Sequence, residues 1–401
     1  NWQEEAARFT PDLKVLVVAG QPGERQAALN DSEPVDVIIT SYGLLKRDIE
    51  LYEKMKLKYC FLDEAQNVKN PQTLNAQAVK RIRAEACFAL TGTPIENSLT
   101  ELWSIFDFIL PGYFRSHASY VKRFEAPIAK QADATALKEL GRHIRPFVLR
   151  RMKQTVLREL PEKIESKLTA PMTPEQARIY AAWLLTARRE FEQEVDEHGF
   201  EKSRIKILAI LTRLRQLCCH PSLFIENYTG GSGKMELLAD VVRDAVAAKH
   251  RLLIFSQFTG LLALIKPMLD SLQISWHYLD GATPSQERMH LVNSFNRGDK
   301  DVFLISLKAG GAGLNLTGAD MVVHCDPWWN PAVEDQATDR AYRIGQKNVV
   351  QVFKLVAKGT IEEKILVMQE RKRALIDSLI QPGESFIGKM TESEIRALFG
   401  E

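Results

Sequence analysis

The sequence predicts an α/β protein in which two parallel-sheet lobes are separated by a helical insert. Three observations carry this. Short runs rich in Val, Ile and Phe alternate with helical stretches in the first quarter of the chain and again in its last 170 or so residues, which is how buried parallel strands with crossover helices read. Between them lie long charged segments whose apolar residues recur at helical spacing. The length of 401 residues also exceeds the size at which one core stops growing.

The composition excludes several classes. Hydrophobic content of 45% and charged content of 26% are ordinary for a globular protein. A net charge of +2 means that any polyanion must be met by local patches. Five cysteines, with no Cys-x-x-Cys, argue for a reducing compartment and against a disulfide framework or a Cys-rich zinc site. No apolar run approaches the roughly twenty residues of a membrane span, so no membrane partner is expected.

The first lobe, residues 1–111, opens on an amphipathic NWQEEAARF stretch without an initiating methionine, as though the chain began in mid-domain. Its strand-like runs are LKVLVVAG, VDVIITSY, LKYCFLDEA and EACFALTGT. Reactive groups in open α/β sheets collect at the carboxyl ends of strands. The third run puts Asp63 and Glu64 there. A nucleotide hydrolase needs such a pair, one carboxylate for Mg²⁺ and one to orient water; an acidic helix cap would look the same. The fourth run ends in Thr91 and Thr93, beside that site or simply in a turn. Thr40 and Ser41 close the second run with hydroxyls for a nucleic-acid phosphate, or for a Ser/Thr turn.

The insert, residues 112–230, carries the basic run Arg142, Arg145, Arg150, Arg151 and Lys153, then QARIYAAWLLTARREFEQEV and RIKILAILTRLRQLCC. In the latter, Ile205, Leu208, Ile210, Leu211, Leu214 and Leu217 recur at helical spacing. Gly230 to Gly233 reads as a linker. Gly233-Lys234 is not a phosphate loop, because Tyr228 and Met235 stand where the motif needs Gly and Ser or Thr. Cys218-Cys219-His220 is too closely spaced to set up zinc and reads as packing.

The second lobe, residues 231–380, returns to strand-like runs: RLLIFS, ISWHYLDG, KDVFLISL, ADMVVHCD and VVQVFKLV. Lys308, Gly310, Gly311 and Gly313 follow the third of these, as in loops that approach a phosphate closely. Next comes DPWWNPAVEDQATDRAYRIGQ. Asn330 as N-cap, Pro331 at the first position, Glu334 and Asp335 in the first turn and Gly345 as a stop predict a helix over 331–344. On it Val333, Ala337, Ala341 and Ile344 form an apolar stripe, and Gln336, Arg340 and Arg343 form a second one. Two adjacent arginines can fork a carboxylate or phosphate; by spacing alone such a pair is usually a solvated face. Residues 381–401 read as a short tail helix without evident chemistry. No internal period appears.

DEAQ at 63–66, LTGTPIEN at 90–97, LIFSQF at 253–258, the KAGGAGLNLTGAD loop and DPWWNPAVEDQATDRAYRIGQ occur in this order. With FVLRRMKQTVLRELPEK and RLRQLCCHP in the insert, nearly the whole chain resembles the Swi/Snf-type DNA-translocating ATPases of helicase superfamily two. The resemblance implies two RecA-like lobes, the first incomplete, that serve ATP with Mg²⁺ and engage double-stranded DNA. In that reading Asp63 holds the metal, Glu64 activates water, and Arg340 and Arg343 act as arginine fingers on the triphosphate, with Gln336 and Gly313 also at the nucleotide. Thr91 and Thr93 couple nucleotide state to DNA grip, while Thr40, Ser41, Ser256, Gln257, Lys308 and Trp328 face DNA or couple the motor. The family's phosphate loop, ending Gly-Lys-Thr, does not occur in these residues, so the resemblance implies truncation just downstream of it and negligible turnover by the 401 residues alone. The implied function is an ATP-driven duplex translocase, working as a monomer, that remodels or displaces a DNA-bound protein complex. A non-catalytic DNA-binding or scaffold module is the alternative. The compact insert and lack of reader domains point to a prokaryotic, nucleoid-associated cytoplasmic protein; in a eukaryote it would be nuclear.

Overall fold

The computed structural model of the chain describes every residue except 1, 31–33, 93–98, 132, 150, 152–156, 158, 311–312, 379–395, 397 and 399–401. It divides near residue 150 into two compact units.

In the first unit, β1 (Val15–Val17) pairs in parallel with β2 (Val37–Ile39), and β3 (Leu57–Leu62) in parallel with β4 (Ala84–Ala89). Crossover helices Pro22–Asn30 and Leu74–Arg81 make these pairings parallel. Alternation along β3 turns Cys60 and Leu62 inward and leaves Tyr59 and Phe61 exposed. Leu62 joins Leu45, Ile49, Val68, Val79 and Phe108 in one apolar cluster, which fixes the strand end where Asp63 begins. Helix Leu99–Ile109 and helix Ala134–Ile144 enclose a second, aromatic cluster around Phe106, Tyr120 and Phe124.

The second unit is built on a six-stranded parallel sheet in the order β5 (Lys163–Ala170), β10 (Val350–Ala357), β9 (Met321–His324), β6 (Leu252–Ser256), β8 (Val302–Ser306) and β7 (Trp276–Leu279). Strands β6 (Leu252–Ser256), β8 (Val302–Ser306) and β9 (Met321–His324) are buried at every position, as expected of strands covered on both faces. β7 (Trp276–Leu279) and β10 (Val350–Ala357) complete the strands read from the sequence.

β5 (Lys163–Ala170) corrects the wholly helical reading of the insert. It pairs in register with β10 from Lys163↔Val350 to Ala170↔Ala357. As an edge strand it is half polar: Lys167 and Thr169 face out, and of the residues turned inward only Leu168 and Ala170 are apolar, Ser166 being the third, so its signal is weak. The helices Pro174–His198 and Phe200–Cys219 that follow form an antiparallel hairpin. Thr173 caps the first through its hydroxyl, which accepts from the Gln176 N–H at 3.2 Å. Gly199, at φ 76, makes the reversal between them. Tyr180, Phe191, Ile207, Leu211, Leu214 and Leu217 pack between the helices. Ile205, placed on the same stripe from the sequence, is 83% exposed instead.

The glycine-rich stretch after the hairpin is not a free linker. Ser232 is buried and donates to the Cys219 carbonyl at 2.5 Å. A Cβ on Gly233 would lie 1.7 Å from the Pro171 carbonyl oxygen, so only glycine fits. Lys234, the apparent phosphate-loop lysine, is buried 2.7 Å from Glu362 and donates to the Cys325 carbonyl at 2.8 Å. Cys218 and Cys219 are fully buried thiols pushed up by burial. Among the described residues no group of His, Cys, Asp and Glu is arranged to hold a metal by itself, and no helix is long and apolar enough to cross a membrane. Of the tail helix, Arg396 and Leu398 are described; the buried Leu398 joins the hairpin cluster.

Candidate functional site

At the carboxyl end of β3 the backbone is tied to β4. Leu90 donates to the Leu62 carbonyl at 2.7 Å, and Ala65 donates to the Leu90 carbonyl at 2.9 Å. Between these ties Glu64 takes φ 50, ψ 53, a left-handed conformation that costs a non-glycine residue about 1 kcal/mol. Hydrogen bonds on backbone and side chain hold it there. The Glu64 N–H donates to Asp63 Oδ1 at 2.9 Å, Asn67 Nδ2 donates to the Glu64 carbonyl at 2.9 Å, and Gln66 Nε2 donates to Glu64 Oε2 at 2.7 Å.

Gln66 is amphoteric, and its other end accepts from the Thr91 hydroxyl at 2.8 Å. A continuous chain therefore runs from the Glu64 carboxylate through Gln66 to Thr91, across from β3 to β4. The sequence marked Glu64 and Thr91 but gave Gln66 no role; its place in DEAQ was the available signal. Thr93 lies outside the described residues. Asp63 is exposed. Its Oδ2 accepts from the Trp2 indole at 2.8 Å, and its carbonyl accepts from the Tyr42 hydroxyl at 2.7 Å. Burial, reinforced by Asp63, pushes the Tyr42 hydroxyl up, so it stays a donor.

This arrangement fits a magnesium ion arriving with a nucleotide. Mg²⁺ is usually bound by one or two carboxylates together with phosphates and water, and Asp63 keeps lone pairs on an exposed carboxylate. Nearby, the Ser41 hydroxyl accepts from the Leu44 N–H at 3.3 Å and caps helix Tyr42–Leu45. Ser41 is exposed and Thr40 half-buried. Arg142, Arg145 and Arg151 of the basic run are exposed; Arg150 and Lys153 lie outside the described residues.

In the second unit the helix expected over 331–344 is shorter. Asn330 caps it, its side chain accepting from the Ala332 N–H at 3.2 Å, and Pro331 starts it, but it ends at Thr338. Gln336 is on the helix; Arg340 and Arg343 are in the turns beyond, so the three do not share a helical stripe. The cause is non-local. The Arg340 carbonyl accepts from the Leu316 N–H at 2.9 Å, and Gln346 Nε2 donates to the carbonyls of Ala319, at 2.6 Å, and Ala341, at 3.2 Å. Carbonyls that would continue the ladder are thus diverted. Ala337 and Ala341 are buried as expected, whereas Ile344 is 69% exposed. Arg340 is 7% exposed and Arg343 half-buried.

Beneath the helix, Glu334 does more than load the first turn. It is buried 2.9 Å from Lys354 and accepts from the Trp328 N–H at 2.6 Å. Lys354, His324 and the Trp328 N–H hold its carboxyl below the ordinary value although burial opposes them. The His324 ring meets the Thr338 hydroxyl at 2.9 Å, and burial lowers its pKa to about 4.

The residues expected to face DNA differ among themselves. Lys308 is exposed in the short helix Leu307–Gly310 after β8, and Gly313 adopts φ 61. Gly311 lies outside the described residues. Gln257 and Trp328 are half-buried. Ser256 is a correction: it is 1% exposed and donates to Asp326 Oδ1 at 2.5 Å, so its hydroxyl ties β6 to the end of β9 rather than facing solvent.

Comparison with known proteins identifies the family. A model of the SNF2-related domain matches residues 1–223, and one of the helicase conserved C-terminal domain matches residues 233–345. The chain is 42% identical over 410 residues to YwqA of Bacillus subtilis, covering 100% of this chain and 44% of that protein. It is 32% identical over 455 residues to the TATA-binding protein-associated factor MOT1 of Saccharomyces cerevisiae, covering 100% of this chain and 24% of that protein. The chain thus spans less than half the length of these relatives. Among solved structures, the Sulfolobus solfataricus SWI2/SNF2 ATPase core in complex with dsDNA is 36% identical, with a TM-score of 0.50, covering 99% of this chain and 83% of that one. The same core domain solved on its own gives the same identity and TM-score.

Proposed function

Because the chain belongs to the SNF2-related family of helicase-like ATPases, we propose that it is the major part of an ATP-driven motor that travels along double-stranded DNA and displaces or remodels protein bound there. The observation that carries this reading is the chain of bonds from Glu64 through Gln66 to Thr91. It links a carboxylate suited to orienting water with a hydroxyl just beyond the neighbouring strand, a connection through which hydrolysis would be coupled to movement. The similar Sulfolobus core solved with dsDNA supports duplex DNA as the track.

Asp63 would hold the magnesium of the incoming nucleotide, and Glu64 would orient the attacking water. Arg340 and Arg343 would neutralise charge on a triphosphate, aided by Gln336 and Gly313. Arginine suits this role because it stays charged at any working pH. The fixed left-handed backbone at Glu64 spares the carboxylate from reorganising at each turnover. Thr40, Ser41, Gln257, Lys308 and Trp328 would serve DNA grip, and each phosphate they meet would make binding salt-sensitive.

Displacement of a triplex-forming oligonucleotide from duplex DNA tests the proposal. The whole protein should release the oligonucleotide only with ATP, and Glu64→Gln should abolish release while still binding duplex. DNA binding without ATP-dependent release by the unmodified protein would support the non-catalytic scaffold reading instead.

A further inference from the structure

We propose that Arg215, on the second helix of the hairpin, is a positioning residue that sets the conformation of the segment carrying Arg340 and Arg343. The inference rests on the reading of those arginines as groups that serve ATP. Arg215 is 1% exposed, a long cation among the leucines of helix Phe200–Cys219. One terminal nitrogen donates to the Pro327 carbonyl and lies 3.6 Å from Asp326 Oδ2. The guanidinium also faces three aromatic rings, with centroids at 5.1 Å for Trp329, 5.6 Å for Phe258 and 6.0 Å for Trp328. Its Nε has no partner among the described residues, so the polar contacts of its fork go to residues 326 and 327.

Asp326 passes the constraint on. Its Oδ1 accepts from the Ser256 hydroxyl at 2.5 Å and from the Gln257 N–H at 3.3 Å, joining the ends of β6 and β9. Two residues later the Trp328 N–H donates to Glu334, and its carbonyl accepts from Gln369 Nε2. Pro331 then opens the helix that leads into the arginine turns. Arg215 thus sits at the head of a bonded path that reaches Glu334 in the helix preceding Arg340 and Arg343, and it lies on an element that the sequence gave no chemical role.

Stability alone does not require an arginine here. A buried ion pair can often be replaced by apolar side chains of similar volume without loss of stability. A planar guanidinium supplies direction instead, since it fixes a carboxylate and a carbonyl at set angles while its faces order the aromatic rings.

The test uses the whole protein carrying Arg215→Met, which preserves length and packing, or Arg215→Lys, which preserves charge. Four quantities are measured: kcat and KM for ATP at saturating duplex DNA, DNA affinity, melting temperature, and amide exchange over residues 326–343. Arg215→Met should lower kcat about tenfold or more, with KM and DNA affinity within about twofold of the unmodified protein. Exchange over 326–343 should quicken; the melting temperature should fall, because Asp326 is left a buried charge without its partner, so kcat is read at a temperature where both proteins stay folded, and Arg215→Lys should restore part of kcat. Unaltered kcat in Arg215→Met, or a loss that only follows the fraction unfolded, overturns the proposal. Should Arg215→Met not fold, Arg215→Lys decides: reduced kcat with normal melting supports the role, and unaltered kcat overturns it. Arg343→Ala is run alongside. Full turnover in that variant removes the reading on which the inference rests, whereas its loss together with unaltered Arg215 variants removes only the inference.

Discussion

Acid should weaken the second unit through His324, and the size of the effect follows from its surroundings. The imidazole is 2% exposed, stacks on Phe255 at 5.6 Å and meets the Thr338 hydroxyl. Burial is the largest influence and lowers its pKa from 6.5 to about 4; Glu334 and Glu165 oppose this, and Lys354 and Lys163 assist it. The folded state therefore keeps the ring neutral at pH values where the unfolded chain protonates it. Stability from this group is complete above pH 6.5, falls as pH drops from there to about 4, and levels off below. At ~1.36 kcal/mol per pH unit the whole window is worth about 3 kcal/mol, of which roughly 2 kcal/mol is lost by pH 5. Urea unfolding of the protein and of His324→Gln across pH 8 to 5 reads this directly. The half-buried His220 and His277, which burial also shifts down, titrate alike in both proteins. The difference in slope therefore isolates His324, and His324→Gln should be less stable at pH 8 but flatter towards acid. Parallel curves would show that the ring is not held neutral by its site.

Arg343→Ala should lower DNA-stimulated ATP turnover by about a thousandfold or more, the scale on which arginine fingers act, while duplex affinity measured by fluorescence anisotropy changes little; equal losses in both would make Arg343 a DNA contact. Gly233→Ala forces a methyl group against the Pro171 carbonyl and should destabilise the fold by roughly 2–4 kcal/mol in denaturant titration; an unchanged midpoint would mean that the hairpin and the sheet are not packed through that turn.

Much of this molecule was legible in the sequence because burial on both faces leaves a strong mark. The runs around β6, β8 and β9 are apolar up to their last residue and buried throughout; β3 and β4 were legible from their own apolar runs. β5 was illegible for the opposite reason: an edge strand with one covered face carries only Leu168 and Ala170 as signal amid charged residues. The helix at Pro331 shows a sharper limit. Its start is local chemistry, an Asn330 cap and a proline, and was read correctly. Its end is imposed by Leu316 and Gln346, residues that claim carbonyls beyond Thr338 from outside the helix. Periodicity could not reveal that, and so it placed Ile344 in the core and the arginines on a stripe. Ser256 and Gly233 were misread similarly, since each is defined by a partner distant in sequence, Asp326 and Pro171.

The central claim is that Glu64 orients water for a nucleotide hydrolysis coupled to duplex DNA. Its most direct measurement is the ATP turnover of the whole protein, with and without double-stranded DNA, beside Glu64→Gln at equal DNA occupancy. The account predicts turnover that rises with duplex and disappears in Glu64→Gln while DNA remains bound. Turnover that persists in Glu64→Gln, or that ignores duplex DNA, would contradict it.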